Sequence, residues 1–169
     1  VISAVLKYGR EYGVGLEAGT KAELLAVMIM ADPTTPILCN GFKDAMMIEL
    51  AIRCAQLGRD ITVIIEKPNE IESIADCVHR LGTCPRLGVR VKLAAQANGR
   101  WAQSGGYRSK FGLTVNELLE GIERMRQYKI IDSLHLLHFH PGSQISDVRK
   151  IKSSLIEATR VYADLVQQG

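Results

Sequence analysis

The sequence predicts an α/β fold built from successive βα units on a parallel sheet. Short apolar runs rich in β-branched residues recur along the 169 residues, each followed by a longer stretch with helical spacing. The glycine signature of a doubly wound dinucleotide-binding sheet is missing, because Gly13-Val14-Gly15 continues as Leu16-Glu17-Ala18 instead of completing G-x-G-x-x-G. Polar residues gather at the C-terminal ends of the strands, where (β/α)8 barrels carry their active sites. The expected fold is therefore part of a (β/α)8 TIM barrel, with about five βα units in this chain.

The elements follow in order. Residues 1–8 read as the closing part of a helix, and 13–18 as the first strand. A capping box, Thr20-Lys21-Ala22-Glu23, then opens a helix over 21–31, since the threonine hydroxyl and glutamate carboxylate satisfy otherwise unpaired amides. A strand over 36–41 leads to a helix over 44–57 ending at Gly58, and a strand over 61–66 leads to a helix that Asn69 is expected to cap and Gly82 to close. The strand over 87–93 is followed by a polar, glycine-rich segment, 94–112, long enough to suggest a functional loop on the catalytic face. A second capping box, Thr114-Val115-Asn116-Glu117, starts a helix over 115–128. The last strand covers 133–140, and the helix after it is expected to be capped by Ser146 and to end at Gly169.

Composition narrows the function classes. Hydrophobic residues make up 47% of the chain, enough for a sizeable core. The 21 basic and 18 acidic side chains alternate in sign without forming blocks, which gives no support to nucleic acid or an anionic membrane as partner. No apolar run approaches the roughly 20 residues that span a bilayer, and residues 1–15 lack the basic-then-apolar order expected of a secretory signal. Cys39, Cys54, Cys77 and Cys84 form no C-x-x-C pair, so reduced thiols in a cytoplasmic protein are expected. The chain begins with Val1, which reads as a fragment of a longer protein. Nothing inside it marks a domain boundary.

Strand alternation selects the chemistry-bearing side chains. Gly88, Arg90 and Lys92 share one face of their strand, and a buried guanidinium there requires a partner. Glu17 lies opposite the apolar Val14, Leu16 and Ala18, with glycines at 13, 15 and 19. His138 and His140 share the face of Leu134 and Leu136, just before Gly142-Ser143. A glutamate, an arginine and two histidines at strand C-termini form a plausible catalytic group. The bland readings are a Glu17–lysine pair across the barrel mouth, a structural role for Arg90 and a satisfied core histidine at 140. Met28, Met30, Met46 and Met47 read as core filler, and Arg124, Arg126 and Lys129 as a solvated helix face.

Five strings carry a family resemblance over essentially the whole chain: Gly15 to Leu24, Cys39-Asn40-Gly41-Phe42-Lys43-Asp44, Gly88-Val89-Arg90-Val91-Lys92-Leu93, Ser109-Lys110-Phe111-Gly112-Leu113, and Leu137 to Ile145 with its His-Phe-His-Pro-Gly-Ser-Gln core. Together they closely resemble the biosynthetic arginine decarboxylases. The last string is shared more loosely by the wider alanine-racemase-like family, including ornithine and diaminopimelate decarboxylases, and the Asn-Gly-Phe-Lys-Asp string favours arginine. The resemblance implies an alanine-racemase-type barrel binding pyridoxal 5'-phosphate, with arginine as substrate and agmatine as product. It implies that His140 stacks on the pyridine ring, Ser143 helps hold the phosphate, Arg90 lies near the ring, and Glu17 joins the polar network beside the imine, so that His140 and Glu17 are the catalytic candidates here. Lys110 is implied to shape the pocket without reacting. A homo-oligomer with sites between subunits is implied as well. Magnesium carries over from relatives only, as no ligand cluster is visible and metal ligands stay unknown.

The sequence departs from the family at Pro141, where an aliphatic residue is usual; proline removes an amide donor and holds its predecessor extended. The family's Schiff-base lysine, on the first barrel strand, is not in this chain. The last strands and the C-terminal β-domain are likewise expected outside residues 1–169, a partial cofactor-binding barrel domain that should be inactive alone. The alternatives are a diaminopimelate or other basic amino-acid decarboxylase, a catalytically inactive homologue that binds partners, and an unrelated phosphate-binding barrel.

Overall fold

A computed structural model describes residues 1–93 and 110–168. Most of the polar segment expected over 94–112, and the expected terminal Gly169, lie outside the described residues. The chain order is α1 (Ile2–Gly9), a 3-10 turn (Arg10–Tyr12), β1 (Leu16–Ala18), α2 (Lys21–Met30), β2 (Ile37–Cys39), α3 (Ala45–Gln56), β3 (Ile61–Ile65), α4 (Pro68–Leu81), β4 (Arg86–Val91), α5 (Val115–Gln127), a 3-10 turn (Ile131–Ser133), β5 (Leu134–Phe139) and α6 (Val148–Gln167).

The five strands pair in parallel in the order β1-β2-β3-β4-β5. This order decides the architecture. Parallel crossovers are right-handed, so a sheet that never reverses its direction of growth receives every crossover helix on the same face. A doubly wound sheet reverses once and is covered on both faces. The other face here is left for a barrel interior.

The core lies between the helices and one side of the sheet. Ile37, Cys39, Ile61, Val63, Ile65, Leu87, Val89 and Val91 pack with Leu24, Ile48, Ile52, Ile71, Ile74, Leu118 and Met125, all buried. On the opposite face, a Cβ added at Gly88 would stand 2.7 Å from Ile64 Cδ1 and 3.1 Å from Leu136 Cδ2. Ile64, Gly88 and Leu136 thus form an apolar floor, and the residues two positions further along each strand stand above it on the same face.

The capping box at Thr114 is complete, with the Glu117 carboxylate accepting from the Thr114 amide at 2.7 Å. At α2 the Thr20 hydroxyl accepts from the Glu23 amide, while the Glu23 carboxylate reaches Gly19 N instead. Two expected caps shift. Lys67, not Asn69, takes the N-cap of α4, because Pro68 has the φ and the missing donor that suit the first helical position and so starts the helix earlier. Asp147, not Ser146, caps α6, its carboxylate accepting from Arg149 N at 2.9 Å. The methionine stripe divides: Met47 is buried, Met28 packs against the core, and Met30 and Met46 are exposed. Arg124 and Arg126 are struts as well as solvated groups, donating to the carbonyls of Pro68 and Gln168. The four cysteines are unpaired. No helix among the described residues is long and apolar enough to cross a membrane.

Candidate functional site

Sheet register assembles the site. Arg90 pairs with His138 across β4 and β5, and Ile65 pairs with Val89, which sets Glu66 beside Arg90 at the end of β3. Glu66, Arg90 and His138 therefore form one row above the apolar floor. Arg90 Nη1 donates to Glu66 Oε1 at 2.6 Å, with the glutamate side chain fully buried and the arginine 12% exposed. Glu66 is the partner that a buried guanidinium on this strand requires, and strand alternation in the sequence had not selected it. Its signal was a charged residue closing the apolar run Ile61 to Ile65.

Glu17 ends up on the same face, but its partner is an amide and not a lysine: Asn40 Nδ2 donates to Glu17 Oε1 at 3.1 Å. Its charge reaches both histidines. Burial lowers the pKa of His138 and His140, the nearby Arg90 guanidinium lowers both further, and the Glu17 carboxylate opposes the shift. Glu66 also opposes it at His138. Glu17 and Arg90 thus act electrostatically, with opposite sign, on both histidines. Both imidazoles are biased toward the neutral form.

The loop ends complete the frame. Gly112 N donates to Glu66 O at 3.0 Å, and Leu113 N to Arg90 O at 2.7 Å, so the Lys110-Phe111-Gly112-Leu113 string lies across the ends of β3 and β4. Only glycine fits at 112, where φ is +93 and an added Cβ would stand 3.3 Å from Arg90 O. This approach carries the Phe111 ring to 5.8 Å from the Arg90 guanidinium carbon. Lys110 itself is exposed. Ser143 is exposed in the turn after β5, where Gly142 (φ 116) and Gln144 (φ 53) have positive φ. Pro141 follows the last ladder pair, Val91 with Phe139, so its missing amide costs the sheet no hydrogen bond.

Behind the row lies a buried ion pair that the sequence also did not disclose. Lys43 Nζ is 3.2 Å from Glu70 Oε2 with both side chains buried, and it donates to Gly41 O. The same carboxylate accepts from Lys43 N and from Glu66 N. One side chain therefore ties the β2–α3 loop to the end of β3.

Asn40 Oδ1, Glu66 Oε2 and His138 Nδ1 are buried without a hydrogen-bond partner among the described residues. Buried polar atoms are rarely left so, and orphans on this face mark where a polar ligand would sit. Among the described residues no group of three or more His, Cys, Asp or Glu side chains is placed to hold a metal ion. A cavity of about 240 Å3 between β5, α5 and α6 is mostly apolar and lies on the helix side, away from this face. The buried Cys39 thiol, pushed up to about 11 chiefly by burial, is no nucleophile at neutral pH.

Sequential parallel strands, helices on one face and a polar row at the strand ends on the other define a segment of a (β/α)8 barrel. More narrowly, the chain belongs to the pyridoxal-dependent decarboxylase family, whose pyridoxal-binding domain it matches over residues 2–169. It is 48% identical to the biosynthetic arginine decarboxylase of Rhodopirellula baltica and 45% identical to that of a Geobacter species, in each case over the whole chain. It spans 25% and 27% of those proteins' lengths. The crystal structure of the biosynthetic arginine decarboxylase of Campylobacter jejuni superposes with a TM-score of 0.86 at 36% identity, over 99% of this chain and 26% of that one. A diaminopimelate decarboxylase from Helicobacter pylori superposes with a TM-score of 0.81 over 99% of this chain and 42% of that one, but at 22% identity, which speaks for the fold alone.

Proposed function

We propose that the full-length protein carrying this chain decarboxylates L-arginine to agmatine and CO2 with pyridoxal phosphate, feeding putrescine and spermidine synthesis. The carrying observation is the similarity along the entire chain, at 42–48% identity, to proteins named biosynthetic arginine decarboxylase. Residues 1–169 would then be the part of the cofactor domain that supplies one wall of the site. The first-strand lysine, the later strands and the β-domain would belong to the remainder.

The residues present fit the cofactor. The face offers a guanidinium, two neutral-leaning imidazoles and a carboxylate above an apolar floor, with orphaned polar atoms among them. When bound, pyridoxal phosphate supplies an electron-poor ring that takes up the electron pair left as CO2 departs. His140, exposed at the end of β5, would pack its imidazole on that ring. Arg90 would donate to polar atoms at the ring edge, Glu17 would balance developing positive charge, and the exposed Ser143 hydroxyl would donate to the phosphate. Lys110 would line the rim. The protein is read as a cytoplasmic homo-oligomer with sites between subunits, and magnesium, if required, would be held by groups outside this set.

The test is turnover of L-arginine by the full-length protein with added pyridoxal phosphate, read as agmatine by chromatography. Turnover of diaminopimelate but not arginine would overturn the substrate. Failure to bind the cofactor at all would leave the inactive-homologue reading standing in its place.

A further inference from the structure

Glu66 is held from several directions at once. Its backbone amide donates to Glu70 Oε2 at 2.8 Å, its carbonyl accepts from Gly112 N at 3.0 Å, and its Oε1 accepts from Arg90 Nη1 at 2.6 Å. The residue is 1% exposed, and Glu70 is in turn fixed by Lys43. Arg90 rests between this anchored carboxylate on one side and the Phe111 ring on the other.

A long guanidinium side chain on an interior strand has two needs: a fixed direction and an opposite charge. Glu17 does not meet them, since its Oε1 is engaged by Asn40, and no ion pair joins it to Arg90 among the described residues. Glu66 meets both through a short charge-assisted hydrogen bond. Its backbone is pinned on one side by Glu70 of α4 and on the other by the Gly112 turn, so the direction is set before any ligand arrives. Such prior ordering strengthens binding by removing the entropy that the ligand would otherwise have to freeze out.

We propose that Glu66 is a positioning residue, which holds the Arg90 guanidinium in place for pyridoxal phosphate and acts on the cofactor only through Arg90. The proposal rests on the reading of Arg90 as a cofactor-facing group. The Glu70–Lys43 pair is the brace that keeps Glu66 from following Arg90 when a ligand pulls on it.

The experiment is a cofactor titration of the full-length protein, stripped of pyridoxal phosphate and followed by the absorbance of the bound cofactor, for the wild type, Glu66→Gln, Arg90→Gln and the double variant. Removal of a partner that orients a ligand-holding group costs about tenfold or more in affinity, so Glu66→Gln is expected to raise Kd by at least that factor. In the Arg90→Gln background the same change should move Kd less than about twofold, since effects of residues acting through one another do not add. Unchanged affinity in Glu66→Gln, or a full second loss in the double variant, overturns the proposal. A purely structural role would lower the unfolding temperature without moving Kd well below it. Should Glu66→Gln fail to fold, Glu66→Asp retains the charge with a shorter reach; weakened binding then supports the proposal and wild-type binding overturns it. A wild-type protein that takes up no cofactor sinks the functional reading itself, which is a different outcome from a wild type that binds and a variant that binds equally well.

Discussion

At the scale of single residues, the two histidines share an electrostatic bias toward the neutral form. Burial and Arg90 hold the His138 pKa below its ordinary 6.5, against the pull of Glu17 and Glu66. The sign follows by linkage. Between 6.5 and the lower folded value the unfolded chain binds the proton and the folded one does not, so stability is full above 6.5 and is lost as pH falls through that window. His140 acts in the same direction. His138→Gln is expected to flatten the decline, measured as the denaturant midpoint of the full-length protein from above pH 6.5 to below it; an unchanged slope would contradict the burial of a neutral imidazole. Glu17, Arg90 and His140 were readable from strand alternation together with the family strings. Glu66 was not, because its face becomes apparent only once Ile65 is paired with Val89, and cross-strand register is absent from a single sequence.

At the scale of elements, the capping boxes and the strand–helix alternation were readable because their chemistry is local. The caps at Lys67 and Asp147 were displaced by one or two residues, for reasons equally local: a proline favoured at the first helical turn, and the better placed of two adjacent acceptors. What no local pattern disclosed is the buried Lys43–Glu70 pair, whose members stand 27 residues apart, one in the β2–α3 loop and the other in the first turn of α4. Removing one partner of such a pair strands a charge in the interior at a cost of about 3–5 kcal/mol. Lys43→Met is expected to destabilise the full-length protein by that order, read from equilibrium denaturation. Adding Glu70→Gln should recover part of the loss, since the second change removes the stranded charge while the amide oxygen can still accept from a backbone N–H. A loss below about 1 kcal/mol for Lys43→Met, the range of exposed ion pairs, would show that the pair is not sequestered as described.

At the scale of the whole molecule, sequential strand order does most of the work: it sends every helix to one face and frees the other for chemistry. The same order leaves β1 and β5 with one neighbour each among the described strands. Their flanks carry the apolar side chains that a continuing barrel would cover, with Ile29 of α2 at 85%, Val148 of α6 at 76% and Tyr162 of α6 at 56% exposure. Only Ser154 and Ala158 of α6 are buried, so this 20-residue helix has most of its apolar stripe turned outward. Unpaired parallel edges beside exposed apolar surface are templates for association. Residues 1–169 expressed by themselves are therefore expected to self-associate with rising concentration, measured by sedimentation velocity, while the full-length protein keeps one fixed stoichiometry. Replacing Ile29, Val148 and Tyr162 together by charged residues should shift the isolated chain toward monomer. A chain that stays monomeric without those changes would mean that its edges close on themselves, and that the open polar face is not one wall of a larger barrel.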